Sequence, residues 1–475
     1  SCVLAGVLLM PRAALAHDPP FVYDIVWSST PAEPTLFLTN RGFVIQSPES
    51  SELRLLCSHA LQVSSTEQVD VVSSPDGAWL VGTSRGLLRS ADGGCTWSGA
   101  STLGEVAIYA LRRDPTRSTR LVGASGDDMP TVYLSDDSGA TWQPGYQLPM
   151  GMYFEELHYA RGTADLLYAG GLKLDKPVLQ LIAASRDGGK TFEEALPIPV
   201  EETETDTSLL DVGPGDGQQL LVKTQAGNPA VPNRLLRSGD GGKTWATVLT
   251  SVELQSARFS SDGARVFAAG HDGLWISQDS GQTFEQVPDA ELMTYASEHE
   301  GELVAAGWYR GIAGGSSGVA SAAISGEQVE RRFDFEEIQA PVACASDSMT
   351  TGLCAELWLD WMREFPPPGS AGSAGSAGTA GVVSATAGAV AAADAGAAGA
   401  AGSSSVAGAA ATSGSAGAQA TPPAAPASAA GGCAVASERP LGLGWLVSFG
   451  AAGIWRAYAR RRVFNRRRKT AAASG

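Results

Sequence analysis

The chain has 475 residues, 44% of them hydrophobic and 17% charged, and carries a formal net charge of −17. An acidic surface of that size disfavours nucleic acid and anionic membranes as partners, and the eight positive charges gathered in residues 456–469 leave the remainder more acidic still. Length alone would point to about two or three domains. Residues 366–432, however, are made mostly of Ala, Gly, Ser, Thr and Pro, so composition supports one globular unit ending near residue 365.

In chain order, residues 3–10 are continuously apolar and Ala14-Leu15-Ala16 supplies a small-residue cleavage signature, which predicts a secretion signal over residues 1–16 with processing after Ala16. No initiator Met or basic leader precedes it, and the true start is expected upstream. From residue 17 to 340 one phrase recurs: an apolar strand, a polar turn, and a second apolar strand ending at or near glycine. Residues 71–81 around Ser74-Pro75-Asp76-Gly77 and residues 257–269 around Ser261-Asp262-Gly263 are examples.

Five of these phrases are followed by an eight-residue pattern, Ser-x-Asp-x-Gly-x-Thr-aromatic. Its key positions are Ser90, Asp92, Gly94 and Trp97; Ser135, Asp137, Gly139 and Trp142; Ser185, Asp187, Gly189 and Phe192; Ser238, Asp240, Gly242 and Trp245; and Ser277, Asp279, Gly281 and Phe284. The chemistry is that of a turn: Ser and Asp oxygens accept backbone N–H groups, Gly supplies a positive φ, and the aromatic is expected to pack into the core. The copies start 45, 50, 53 and 39 residues apart, close to the period of about 45 residues of a four-stranded propeller blade. Two further phrases, at residues 24–42 and 292–311, carry decayed patterns at Ser47-Pro48-Glu49 and Ser325-Gly326-Glu327 and add one blade at each end. The fold expected is all-β: one propeller of seven four-stranded blades over residues 17–340, with six and eight as the competing counts.

The five patterns resemble the Asp-box, or bacterial neuraminidase repeat, of β-propellers, and are also similar to those of the photosystem assembly factor group. Because Asp-box propellers include sialidases and some glucanases, the resemblance makes extracellular glycoside hydrolysis the enzymatic alternative. Those sialidases carry a Phe-Arg-Ile-Pro element feeding an arginine cluster, and this chain has no such run. In Phe154-Glu155-Glu156-Leu157-His158-Tyr159, strand alternation lets Glu156 and His158 face a central channel together, which makes them the weak catalytic candidates; one carboxylate and one imidazole do not form a glycosidase pair.

Other chemistry is poorly supported. The Gly-Lys-Thr runs at 189–191 and 242–244 lack the glycine that a phosphate-binding loop needs, since Ala184 and Arg237 stand there. The five histidines are scattered, no Cys-x-x-Cys occurs, and neither a metal nor a cofactor is expected. Of the six cysteines, Cys57, Cys95, Cys344 and Cys354 fall in the globular unit and allow three pairings. Proximity favours Cys344 with Cys354, in a loop followed by a short amphipathic helix over residues 355–361, loop and helix together occupying residues 341–365 and capping the last blade, which leaves Cys57 with Cys95.

Residues 366–432 read as a flexible stalk. Beyond it, residues 441–455 are uncharged and mostly apolar and are followed by the basic cluster, so the positive-inside rule places the propeller outside the cytoplasm. Gly431-Gly432-Cys433 with that short apolar segment and Arg-rich end resembles the MYXO-CTERM sorting tail of myxobacterial surface proteins. The resemblance covers the last 45 residues and implies processing and lipid attachment at Cys433, membrane contact through residues 433–475, and a place at the cell envelope or surface of a diderm bacterium. The function these features favour is a secreted, surface-anchored binding or scaffold module with an extracellular protein or glycan as ligand.

Overall fold

The computed structural model describes residues 20–27, 34–48, 52–63, 67–99, 103–288, 290–309, 316–323 and 329–364. Ala16 and the signal segment, Glu49, residues 325–327, the stalk, Cys433 and the apolar segment at 441–455 lie outside them. Among the described residues, no helix is long and apolar enough to cross a membrane.

Seven sheets follow one another along the chain, each containing an antiparallel four-stranded meander of consecutive strands. Their first strands, Val22–Val26, Asp70–Ser73, Ile108–Asp114, Met152–Tyr159, Glu204–Val212, Leu254–Phe259 and Ala290–His299, pack against one another in a closed ring, the last against the first. The protein is an all-β, seven-bladed propeller whose blades begin at its axis. The core lies between blades: Phe37 and Val44 of blade 1 meet Val304 and Phe333 of blade 7, and Val122 and Leu134 of blade 3 meet Phe154 and Leu167 of blade 4. Because neighbours cover both faces of a blade, its second strand is mostly buried, and in Trp79–Thr83 and Val266–Gly270 it is buried at every position. These strands therefore read as continuous apolar runs without alternation.

An up-and-down meander puts its first and third connections at one end and its second connection, with the crossover to the next blade, at the other. The propeller thus has a turn face and a loop face. All five Ser-x-Asp patterns are third connections, on the turn face. In each, the Ser hydroxyl donates to Asp Oδ1 at 2.7–2.8 Å and accepts the Gly N–H at 2.8–2.9 Å. The same Asp accepts the Thr N–H at 2.8–2.9 Å and the Thr hydroxyl at 2.5–2.7 Å. Gly is required twice over: Gly242 has φ +90°, and a Cβ there would lie 2.7 Å from Ile182 of the preceding blade. The aromatics are less uniform than expected. Trp142 is buried at 4% exposure, whereas Trp97, Phe192, Trp245 and Phe284 are half-buried against the edges of the inter-blade clusters.

Hydrogen bonds from the Thr244 hydroxyl and N–H, outweighing desolvation, hold the Asp240 carboxyl down at about 2, and Thr283 lowers Asp279 in the same way. A folded-state pKa below the unfolded one means that the contribution is complete above the ordinary Asp range and is lost as pH falls through the folded value. Asp240→Ala is therefore expected to destabilise the protein by about 0.5–1.5 kcal/mol at pH 7, since water can reach the freed Lys243 and Thr244 donors, and by progressively less as the pH is lowered from about 4 towards 2. Urea denaturation across that range reads both effects; an unchanged midpoint at pH 7 would show that this turn contributes nothing.

The helix expected to cap the last blade packs mainly on blade 1 instead. Each blade is contiguous in sequence, so no exchanged strand fastens blade 7 to blade 1. Instead Ala340–Pro341 pairs in parallel with the outer strand of blade 1, Leu53–Cys57. The helix Met349–Glu364 follows and packs on that strand, with Trp361 joining the seam cluster of Tyr295, Phe333 and Phe335, its ring 6.0 Å from that of Phe335. The disulfides are Cys57–Cys354 and Cys95–Cys344, which corrects the pairings Cys344–Cys354 and Cys57–Cys95. The reason is geometric: the helix begins between Cys344 and Cys354, so the two point to different blades, one to the end of the outer strand of blade 1 and the other to the turn pattern of blade 2. Hydrogen bonds from Ser348 to the Cys95 carbonyl (3.2 Å) and from Thr350 to the Gly94 carbonyl (3.1 Å) complete the strap.

Candidate functional site

The loop face opens into a cavity of about 480 Å³ at the mouth of the axial channel. Every blade contributes to its wall from the innermost strand, including Asp24, Asp70, Arg112, Glu156, Arg258 and Thr294. Glu156 and His158 both reach this wall, as alternation requires, while Glu155 sits at a bulge between Phe154 and Glu156 that takes it out of the ladder. Sequence reading missed Asp24, Asp70, Arg112 and Arg258. Their signal was a charge set in or beside an apolar strand, which in a single sequence looks the same as a solvent-facing position.

These charges are largely committed to one another. Arg112 Nη1 lies 2.5 Å from Asp70 Oδ2, which also accepts the Leu111 N–H at 2.9 Å. Arg258 donates to the Leu210 carbonyl. Burial alone would lower the Arg258 pKa, but the Asp24 and Asp211 carboxylates outweigh it and keep the guanidinium charged. Burial pushes the Asp24 carboxyl up, against the opposing pull of Arg258 and Arg112. His158 is held well below the ordinary imidazole range by burial and then by Arg112, Arg258 and Arg161, so it is neutral at pH 7. Deeper in the channel, Asp211 accepts from Arg161 at 3.0 Å and from the Phe259 N–H at 2.8 Å. The wall is thus a set of compensated charges around a neutral imidazole, suited to hydrogen bonding with a polar ligand. Among the described residues, no cluster fit to hold a metal occurs.

The rim is asymmetric. The second connections of blades 1, 2 and 6 are two-residue turns at 40–41, 84–85 and 271–272, whereas those of blades 3, 4 and 5 run over 126–130, 174–178 and 227–232. Leu174 and Val178 of blade 4 and residues 227–229 of blade 5 line the cavity directly, as does Tyr109 at the start of blade 3.

No protein-family model matches the chain, and no curated protein matches it. Among solved structures, the chain is similar to an ancestral GH74 enzyme, at 15% identity and a TM-score of 0.44, covering 56% of this chain and 38% of that one. It is similar to the GH74 xyloglucanase from Xanthomonas campestris at 16% identity and a TM-score of 0.37, covering 64% and 57%. A third similarity is to the β-propeller domain of the Trilobed protease from Pyrococcus furiosus, which has an open velcro topology, at 12% identity and a TM-score of 0.41, covering 66% and 98%. The chain spans less than two thirds of either GH74 protein. Likenesses at this level carry no argument about chemistry, and the blade count rests on the sheet topology above.

Proposed function

We propose that this chain is an exported binding module whose ligand, protein or glycan, sits at the channel mouth against the raised loops of blades 3–5. The observation that carries the reading is the 480 Å³ cavity, lined by the long second connections of blades 4 and 5 beside the equally long one of blade 3, in a propeller that closes the same connection of blades 1, 2 and 6 with two residues. Long loops on a rigid scaffold are where propellers and barrels keep their ligand contacts. Two disulfides in a protein of this size favour an oxidising compartment, in keeping with the export signal read from the sequence.

A glycoside hydrolase is the second reading, favoured by one feature: Asp24, whose carboxyl is pushed up by burial, shares the cavity with Glu156, and a raised carboxyl is what a general acid requires. The binding reading is preferred because Asp70 and Asp211 are engaged by arginines and His158 is neutral. Replacing residues 126–130, 174–178 and 227–232 with two-residue turns is expected to abolish binding on arrays of glycans and envelope proteins without lowering the thermal midpoint. Retained binding would overturn the site. Hydrolysis of a glycoside panel by the unaltered chain, lost in Glu156→Gln, would establish the enzyme instead.

A further inference from the structure

The large apolar side chains that the propeller exposes are confined to its loop face. Among the described residues they are Met129, Met150, Leu174, Val178, Leu179 and Val200, with Tyr109 and Val252 at the two ends of the same arc; the remaining two, Met349 and Leu359, belong to the strap helix. Met150 is 95% exposed and Met129 66%. The segments that carry them are bonded into one rim. Leu148 N–H donates to the Pro130 carbonyl at 2.9 Å, Leu174 N–H to the Gly151 carbonyl at 2.8 Å, and Ile198 N–H to the Gln180 carbonyl at 2.9 Å. Arg234, held by both oxygens of Glu204 at 2.6 and 2.8 Å, bonds the Pro199 carbonyl at 3.2 Å.

The same rim is acidic. Asp128, Asp175, Glu201 and Glu202 are exposed on it, and of its two lysines Lys173 is paired with Asp175 at 2.9 Å. Resting on the binding reading above, we infer that this rim docks a polypeptide segment carrying both basic and large apolar side chains. Glycan stacking calls for aromatic faces, whereas these side chains are mainly methionine and aliphatic, which adapt to apolar side chains of a peptide. A second copy of this chain is disfavoured by its net charge of −17, and an anionic bilayer is disfavoured by the rim's own acids.

The test is fluorescence anisotropy of the full chain with three labelled synthetic peptides of equal length: Lys/Leu, Glu/Leu and Lys/Ser. The Lys/Leu peptide is expected to bind about tenfold or more tightly than either of the others. That preference is expected to fall about fivefold in Met129→Ser/Met150→Ser and in Asp128→Lys/Glu202→Lys, and less than about twofold in Glu194→Lys/Asp216→Lys on the turn face. Equal binding of the Glu/Leu peptide would overturn the docking rim as non-specific apolar adhesion, and an equal loss from the turn-face substitutions would overturn it as diffuse attraction to an acidic protein. If no peptide binds while another ligand binds and is lost on loop shortening, this inference fails and the binding-module reading stands; if neither binds, both fail.

Discussion

Removing both disulfides, in the variant Cys57→Ser/Cys95→Ser/Cys344→Ser/Cys354→Ser, is expected to cost more than twice what removal of either one costs. A crosslink stabilises chiefly by restricting the unfolded chain, and its effect grows with the loop it closes. The bridges span sequence separations of 297 and 249 residues. While one is intact, the other closes only the short circuit through residues 57–95 and 344–354, a loop of about 50 residues worth about 2–4 kcal/mol. The last bridge lost releases most of the propeller from a single large loop, which adds about 4–5 kcal/mol. The fold sharpens the effect, since blade 7 is otherwise fastened to blade 1 by side-chain packing and the two-residue pairing of Ala340–Pro341. Urea unfolding of the two pairwise variants and the quadruple variant reads this directly. Additive losses, or a quadruple variant as stable as either pair, would show that packing at the seam closes the ring without the strap.

The repeats were legible because a blade cannot form without a fixed local grammar. The Gly242 conformation, the Asp240 acceptor and the buried second strands each leave a residue-level mark, and the mark recurs. Even the uneven box spacings of 45, 50, 53 and 39 residues held the site. Part of the surplus in the longer intervals goes into the loop-face connections of blades 4 and 5 and the rest mainly into longer strands, and spacing alone does not say which part of a blade has grown. The threonine of each pattern was visible as a repeated letter, yet its double donation to Asp follows only from the turn's three-dimensional form. The disulfides were misread because sequence proximity is a poor guide once a ring closes: Cys354 and Cys57 are far apart in the chain and adjacent only because blade 7 returns to blade 1. The channel charges were missed for the same reason, as Asp24, Asp70, Arg112 and Arg258 converge from four blades.

Arg258→Met is expected to destabilise the protein by about 2–4 kcal/mol at pH 7, a figure reduced from the fully buried case because the channel mouth admits some solvent. The guanidinium is surrounded by the Asp24 and Asp211 carboxylates and bonded to the Leu210 carbonyl, so its loss leaves negative charge facing negative charge across the axis. Blades 1 and 6 are not neighbours in the ring. The attraction between Asp24 and Arg258 therefore holds the first blade to the closing half of the propeller through the channel, independently of the strap. The Asp24 carboxyl already lies above its ordinary range through burial, with Arg258 and Arg112 opposing that rise; without Arg258 it must rise further. A folded-state pKa raised above the unfolded one penalises the ionised form, so the penalty is present above that pKa and relieved as pH falls below it. The difference between Arg258→Met and the unaltered protein should accordingly shrink between pH 7 and pH 4.5, and Asp24→Asn placed in the Arg258→Met background should recover most of it at pH 7. A loss independent of pH, and additive with Asp24→Asn in a double-mutant cycle, would mean that Arg258 acts only by filling space and bonding Leu210, and that no charge couples the two ends of the ring.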